Sequence, residues 1–183
     1  MNITDQNGKK MQIRKCVGSD IAAAGEFYDS VVRWLDAHIN YPRWIYGVYP
    51  SESSVRTMTL EGAQYICINE GKIIGAFALN DKPQGCYWKG QWQRKLDEGS
   101  YMVLHALAAD PRIHRHGIGS RSIRFCIDQA RSRGYRAIRA DIVPDNYPAK
   151  ALFEKNGFTF AGDADLELGI GNIPFFSLYE LNW

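Results

Sequence analysis

Residues 101–119, Tyr-Met-Val-Leu-His-Ala-Leu-Ala-Ala-Asp-Pro-Arg-Ile-His-Arg-His-Gly-Ile-Gly, gather the groups of this chain best suited to holding an anion. Gly117 and Gly119 carry no side chain where a turn would open into a helix. Their amides, with those of Ile118 and Ser120, are first-turn donors that lack intrahelical acceptors. Aligned N–H groups and the positive end of the helix dipole attract phosphate. Arg112, His114, Arg115 and His116 add cationic or titratable groups just ahead of the glycines. Val103, Leu104, Leu107, Ala108 and Ala109 leave little polar surface and predict a buried strand. Asp110-Pro111 ends it, because proline cannot donate to a ladder and restricts the residue before it. The stretch reads as a strand feeding a phosphate cradle.

Other readings of the same residues are weaker. A dinucleotide fingerprint places its first glycine directly after the strand, with a third glycine following. Here a loop from Asp110 to His116 intervenes and Ser122 occupies the third position, although Asp141 lies at a ribose-partner distance. No Gly-Lys-Ser/Thr follows, so the Walker pattern fails as well. A tight strand-to-helix turn without a ligand remains the bland alternative.

The elements that must hold this stretch are legible in outline. Residues 1–10 are polar and read as frayed, and Met11–Lys15 is a strand candidate. Ser19-Asp20 reads as the cap of a helix whose face is Ile21, Ala24, Phe27, Val31, Trp34 and Leu35. An aromatic loop runs from Trp44 to Pro50, and Ser51 to Ser54 caps a short helix ending at Leu60. Gln64–Asn69 and Lys72–Leu79 are strands joined across Glu70-Gly71, a hairpin signal. Asp81 to Ser100, with Tyr87, Trp88 and Trp92, is a long loop, either a lid or an excursion pinned by its aromatics. A helix from Gly117 to Arg133, capped by Gly134, precedes a strand over Arg136–Val143 with Ile138, Ala140 and Ile142 on one face. Pro148 starts a short helix to Asn156. Phe158–Ala161 and Phe175–Leu181 are the last strands. The order predicts one α/β domain over residues 1–183 with a mixed sheet.

Composition narrows the function classes. The 183 residues can bury a sizeable core, and 45% hydrophobic with 13% aromatic residues is globular usage. Net charge is only +2, yet residues 112–139 hold eight arginines and no lysine, which suits a polyanion or a solvated helix face. Cys16, Cys67, Cys86 and Cys126 show no zinc spacing and read as reduced packing thiols. No signal-like or membrane-length apolar run is present, so a soluble, cytoplasmic protein without a membrane partner is expected.

A second motif joins the first: Asn146-Tyr147-Pro148-Ala149-Lys150-Ala151-Leu152-Phe153-Glu154-Lys155-Asn156-Gly157-Phe158. The pair, in this order, resembles the GNAT superfamily of acyl-CoA-dependent N-acetyltransferases. That family shows a strand, Gln/Arg-x-x-Gly-x-Gly/Ala opening a helix, another strand, and an Asn-x-x-Ala-x-x-Leu-Tyr-Glu-Lys-x-Gly-Phe helix. The strict resemblance covers residues 103–161, and the order of the other elements extends it over most of the chain. It implies a GNAT-like α/β fold, with a mixed, mostly antiparallel central sheet flanked by helices and central strands splayed near Ala109 and Val143. Acetyl-CoA would be the co-substrate, with no metal. Its pantetheine would run along Leu107, Ala108 and Ala109, and its pyrophosphate would sit on His114, Arg115, His116, Gly117, Ile118, Gly119 and Ser120. Asn146 and Phe153 carry the second motif to the cofactor. GNAT relatives also commonly dimerise, which implies a possible homodimer.

Two residues depart from the pattern. His114 replaces the usual Gln or Arg, making one phosphate contact pH-dependent. Phe153 stands where the family often has the tyrosine that protonates the leaving thiolate; Tyr147, Tyr101 and Tyr179 are unranked substitutes. The implied chemistry needs a neutral amine, an oxyanion held by a backbone amide, and a proton acceptor. His105 is the expected base, sharing by alternation a face with Val103 and Leu107; the alternative is a hydrogen-bonded sheet histidine. Glu98 and Asp141 are further carboxylate candidates, and Trp44, Tyr46, Tyr87, Trp88 and Trp92 would wall an acceptor pocket. The expected activity is acetyl transfer to a primary amine, on a small molecule or peptide, by direct attack. A degenerate acyl-CoA-binding regulatory module is the alternative. Nucleic-acid binding through the arginines is set aside, because the glycine and aromatic patterns already have an account.

Overall fold

The computed structural model describes residues 2–4, 10–113 and 117–183. Its elements, in chain order, are β1 (Asn2–Thr4), β2 (Lys10–Lys15), α1 (Ile21–Asp36), α2 (Glu52–Leu60), β3 (Gln64–Asn69), β4 (Lys72–Asn80), β5 (Met102–Ala109), α3 (Ile118–Ser132), β6 (Ala137–Ile142), α4 (Tyr147–Lys155), β7 (Thr159–Ala164) and β8 (Phe176–Asn182). The architecture is the expected mixed α/β one, with mostly antiparallel strands and four helices among the described residues. The chain divides into two compact, interleaved units. One comprises residues 1–79 and 106–122, the other residues 80–105 and 123–183.

In the first unit β1, β2, β3 and β4 pair antiparallel in that order. Residues 2–4 pair with β2 instead of fraying, because Ile3 meets Met11 in register. The hairpin between β3 and β4 turns at Glu70 (φ +49°) and Gly71 (φ +76°). Two consecutive left-handed residues make the tight turn whose twist matches that of the strands. Helix α1 buries Ile21, Ala24, Phe27, Tyr28 and Val31, the expected stripe widened by Tyr28, against Val55, Ile66, Ala76 and Ala108. Asp20 does not cap it. Its carboxylate instead accepts from Val17 N at 2.9 Å and from both Arg14 amino groups at 2.6 and 2.9 Å, tying the end of β2 to the helix entry. Ser51 does cap α2, in a reciprocal exchange with Ser54.

In the second unit β6 pairs antiparallel with β8, and β8 with β7, while the start of β5 pairs parallel with β6 at Met102 opposite Ile138 and Val103 opposite Arg139. Residues 81–100 are the excursion rather than a free lid. Tyr87 is fully buried with Val103, Ala137, Leu166 and Leu178, and stacks on Trp92 with ring centres 5.7 Å apart. Cys86 N donates to Leu166 O at 3.0 Å and Gln91 N to Ala161 O at 2.7 Å. Glycine is required at Gly85 (φ +65°), where a Cβ would lie 2.0 Å from Leu166 O. The four cysteines are free, as expected. No described helix is long and apolar enough to cross a membrane.

Three arginines of the run are held by neighbouring side chains. Arg131 lies over the Trp183 ring, Arg133 donates to Gln129, and Arg139 is buried between the rings of Trp92 and Tyr101, each 4.0 Å from its guanidinium carbon. Arg139 also faces the fully buried Glu180, with Nε 3.9 Å from Oε2. Removing one member of such a pair strands the other charge out of water. Arg139→Ala is therefore expected to destabilise the fold by about 3–5 kcal/mol, read as a lowered urea midpoint. The apolar double replacement Arg139→Met with Glu180→Leu is expected to recover most of that loss.

Candidate active site

The residues expected to form the cradle, as far as they are described, lie in the first unit. Within β5, Ala106 has a φ of +48°, a conformation that costs a non-glycine residue strain. Its carbonyl accepts the buried Tyr28 hydroxyl at 2.8 Å, which holds the peptide there. His105 and Leu107, expected to share a face by alternation, flank this residue and differ in burial, His105 buried and Leu107 half-buried. Beyond them Ala108 is buried and Ala109 half-buried. Asp110 N then donates to Ile74 O at 2.9 Å, and the Asp110 carboxylate accepts from Arg112 N, Nε and Nη2 at 3.0, 2.7 and 3.0 Å. Burial pushes the Asp110 carboxyl up, but Arg112 outweighs it and leaves the group below the ordinary carboxylate value. Asp110-Pro111 therefore does more than end the strand. With Arg112 it clasps the turn, and the Arg112 guanidinium faces Asp110 rather than standing open as a phosphate contact.

His114, Arg115 and His116, all expected on the pyrophosphate, lie outside the described residues. Gly117 follows, exposed and at φ +63°, with nothing among the described residues within 4 Å of where a Cβ would be. Its carbonyl accepts the first α3 bond, from Arg121 N at 2.9 Å, so the amides of Ile118, Gly119 and Ser120 form the helix's first turn. Ile118 is buried. A Cβ on Gly75 in β4 would lie 2.9 Å from Ile118 Cγ2 and 3.1 Å from Ala108 O, so β4 approaches the helix entry without a side chain. Sequence reasoning missed Gly75, although an isolated glycine inside a strand is the signal for such an approach. Ser122 donates to Ile118 O at 2.9 Å and lies 3.4 Å from Cys67 Sγ, a packing role within the helix.

The candidates for handling a proton, His105, Asp141 and Glu98, lie in the second unit. His105 is 7% exposed, with Nδ1 3.9 Å from Asp141 Oδ1. Its Nε2 is buried with no hydrogen-bond partner among the described residues. Burial lowers the imidazole's proton affinity below the ordinary histidine value, opposed by Asp141 and by the backbone at Lys82. Asp141 is not a bare strand-surface carboxylate, since the Tyr87 hydroxyl donates to the same Oδ1. Sequence reasoning placed Tyr87 on an acceptor wall, and no local pattern pairs it with a carboxylate 54 residues away. Glu98 is exposed.

The second motif is built in the same unit. Asn146 caps α4, its Oδ1 accepting from Ala149 N at 3.2 Å. Phe153 is buried edge-on against Phe158, ring centres 4.9 Å apart, and tilted against Tyr179 at 6.4 Å. Of the substitute phenols, Tyr179 donates to Glu154 at 2.9 Å, and burial followed by that bond pushes it up to about 12. Tyr101 is buried against Arg139, with burial raising it, and Tyr147 is exposed. Of the expected acceptor wall, Tyr87 is buried with its hydroxyl on Asp141, Trp92 packs against it, and Trp88 is 76% exposed. In the first unit Trp44 packs edge-on to Tyr28, and Tyr46 lies under Arg33. Among the described residues no group of three His, Cys, Asp or Glu side chains is placed to hold a metal ion.

The Acetyltransferase (GNAT) family model matches residues 31–158 of the chain. A GNAT-family acetyltransferase from Listeria monocytogenes superposes with a TM-score of 0.76 at 16% identity, over 100% of both chains. One from Streptococcus agalactiae gives 0.75 at 17%, over 100% of this chain and 99% of that one. The Salmonella typhimurium protein yncA, solved with its cofactor acetyl-CoA, gives 0.65 at 19%, over 94% and 93% of the two chains. At these identities the likeness is one of fold. Among curated proteins, no match was found.

Proposed function

The chain belongs to the acetyltransferase (GNAT) family, and from that premise we propose that it moves an acetyl group from acetyl-CoA to a primary amine by direct attack. The observation that carries the reading is His105, a buried imidazole kept neutral by its surroundings, with an unpartnered Nε2 and a carboxylate on its other edge. A base with a lowered pKa holds its lone pair ready at neutral pH. The cradle fits the co-substrate: among the described residues, Gly117 leaves open space beside first-turn amides, where a pyrophosphate would be held. The pantetheine would run along Leu107 to Ala109.

In the step proposed, the amine nitrogen attacks the thioester carbonyl and a C–N bond forms. The oxyanion is met by a backbone amide, the C–S bond breaks, and CoA leaves as thiolate. His105 Nε2 takes the proton that the nitrogen sheds. A thiol of pKa near ~8.5 leaves without obligatory protonation, consistent with Phe153 at the usual tyrosine position. The reduced cysteines and the acyl-CoA substrate support a cytoplasmic site of action.

Phe153 favours a second reading, an acyl-CoA-binding regulatory module without turnover. The two separate on acetyl-CoA turnover with a panel of amines, comprising a polyamine, an aminoglycoside, amino acids and a lysine peptide. Amine-dependent thiol release is the expected result. Acetyl-CoA binding with no release for any amine would favour the module.

A further inference from the structure

We propose that Tyr87 is a positioning residue: it holds the Asp141 carboxylate against the Nδ1 edge of His105, so that the imidazole presents its lone pair on Nε2. The inference deepens the reading of His105 as a base and rests on it.

The geometry behind it is a chain of three side chains meeting at one oxygen. Asp141 Oδ1 accepts the Tyr87 hydroxyl and lies 3.9 Å from His105 Nδ1. Tyr87 has little freedom to move. It is fully buried, its carbonyl accepts Trp92 Nε1 at 2.7 Å, and its ring stacks on Trp92. The turn that seats it needs glycine at Gly85. Burial holds the phenol well above its ordinary pKa, and Asp141 adds to that, so the proton stays on tyrosine. At 3.9 Å the carboxylate acts on Nδ1 by charge rather than as a hydrogen-bond acceptor, and with the backbone hydrogen bond at Lys82 it favours a proton on that edge. Asp141 and Tyr87 thus define the direction of proton transfer without touching the amine.

Other groups act on these three. On His105 they are burial, Asp141 from β6, and the backbone at Lys82 beyond β4. On Tyr87 they are Asp141, Tyr101 just ahead of β5, and Arg139 from β6. Because Tyr87 and His105 share one oxygen, they compete for its charge. Deleting the Asp141 charge lowers the proton affinity of His105, whereas deleting the Tyr87 hydroxyl leaves that charge wholly to His105 and raises it. Loss of packing alone predicts no such opposition.

The test is an NMR titration of the full chain carrying nitrogen-labelled histidine, with the His105 resonances identified by their loss in His105→Gln. In the unsubstituted protein the neutral form is expected as the Nδ1–H tautomer. Asp141→Asn is expected to shift the His105 titration downward. Tyr87→Phe, which keeps the ring, is expected to shift it upward, and the acid limb of kcat/KM should follow. Titrations that stay put, or that move in the same direction in both variants, overturn the proposal. If Asp141→Asn does not fold, the sign of the Tyr87→Phe shift decides alone. The base reading is tested separately by turnover of His105→Ala. Normal turnover there with opposed shifts would remove the base and keep the positioning contact, and lost turnover with unmoved titrations would do the reverse.

Discussion

Gly117→Glu is expected to raise the dissociation constant for acetyl-CoA by about 100-fold or more while the protein still folds. At that position φ is +63° and a Cβ meets nothing within 4 Å among the described residues, so a side chain does not enter the core. Holding a non-glycine residue left-handed costs about 1–2 kcal/mol. That cost is shared by Gly117→Ala, which serves as the control for strain. The glutamate adds a carboxylate beside the first-turn amides of α3, where it both occupies the anion's place and repels phosphate. A 100-fold loss corresponds to about 2.7 kcal/mol, which two charge-assisted hydrogen bonds can supply. Gly119→Glu is expected to behave alike. Calorimetric titration of the folded variants is the measurement, and unchanged affinity in Gly117→Glu would put the cradle elsewhere in the chain.

His105→Ala is expected to lower kcat by roughly 10²–10⁴-fold, the usual worth of general-base assistance, with acetyl-CoA affinity nearly unchanged. The separation follows because the cofactor is assigned to backbone groups of the first unit, while His105 is assigned the amine's proton. The pH profile carries the sign. Burial lowers the proton affinity of His105, so in the unsubstituted enzyme kcat/KM should rise through a pKa below the ordinary histidine value of about 6.5 and then level off. Without the imidazole that limb disappears, and the rate should climb steadily toward the amine's own pKa near ~10.4. Wild-type turnover with an unchanged profile would return His105 to a purely structural place in β5.

What the amino-acid order determined by itself is whatever near neighbours enforce. The I′ turn at Glu70-Gly71, the Ser51 cap, the Gly134 helix stop and the Asn146 cap each depend on residues within a few positions. The strand-glycine-helix stretch and the Asn146-to-Phe158 helix are local in the same sense, which is why the family was legible from them. The tertiary structure alone decided the rest. Ala106 is no natural left-handed residue, and its carbonyl is held by Tyr28, 78 positions away. Arg139 looked like part of a basic run, yet the sheet turns it inward between two rings and opposite Glu180. Asp20 looked like a cap, and Arg14 claims it instead. Tyr87 and Asp141 meet because a pinned loop and a strand are brought together by the core of the second unit. Conformational preference is written residue by residue, but a hydrogen bond between distant side chains exists only after strand register and burial have brought its partners to one place.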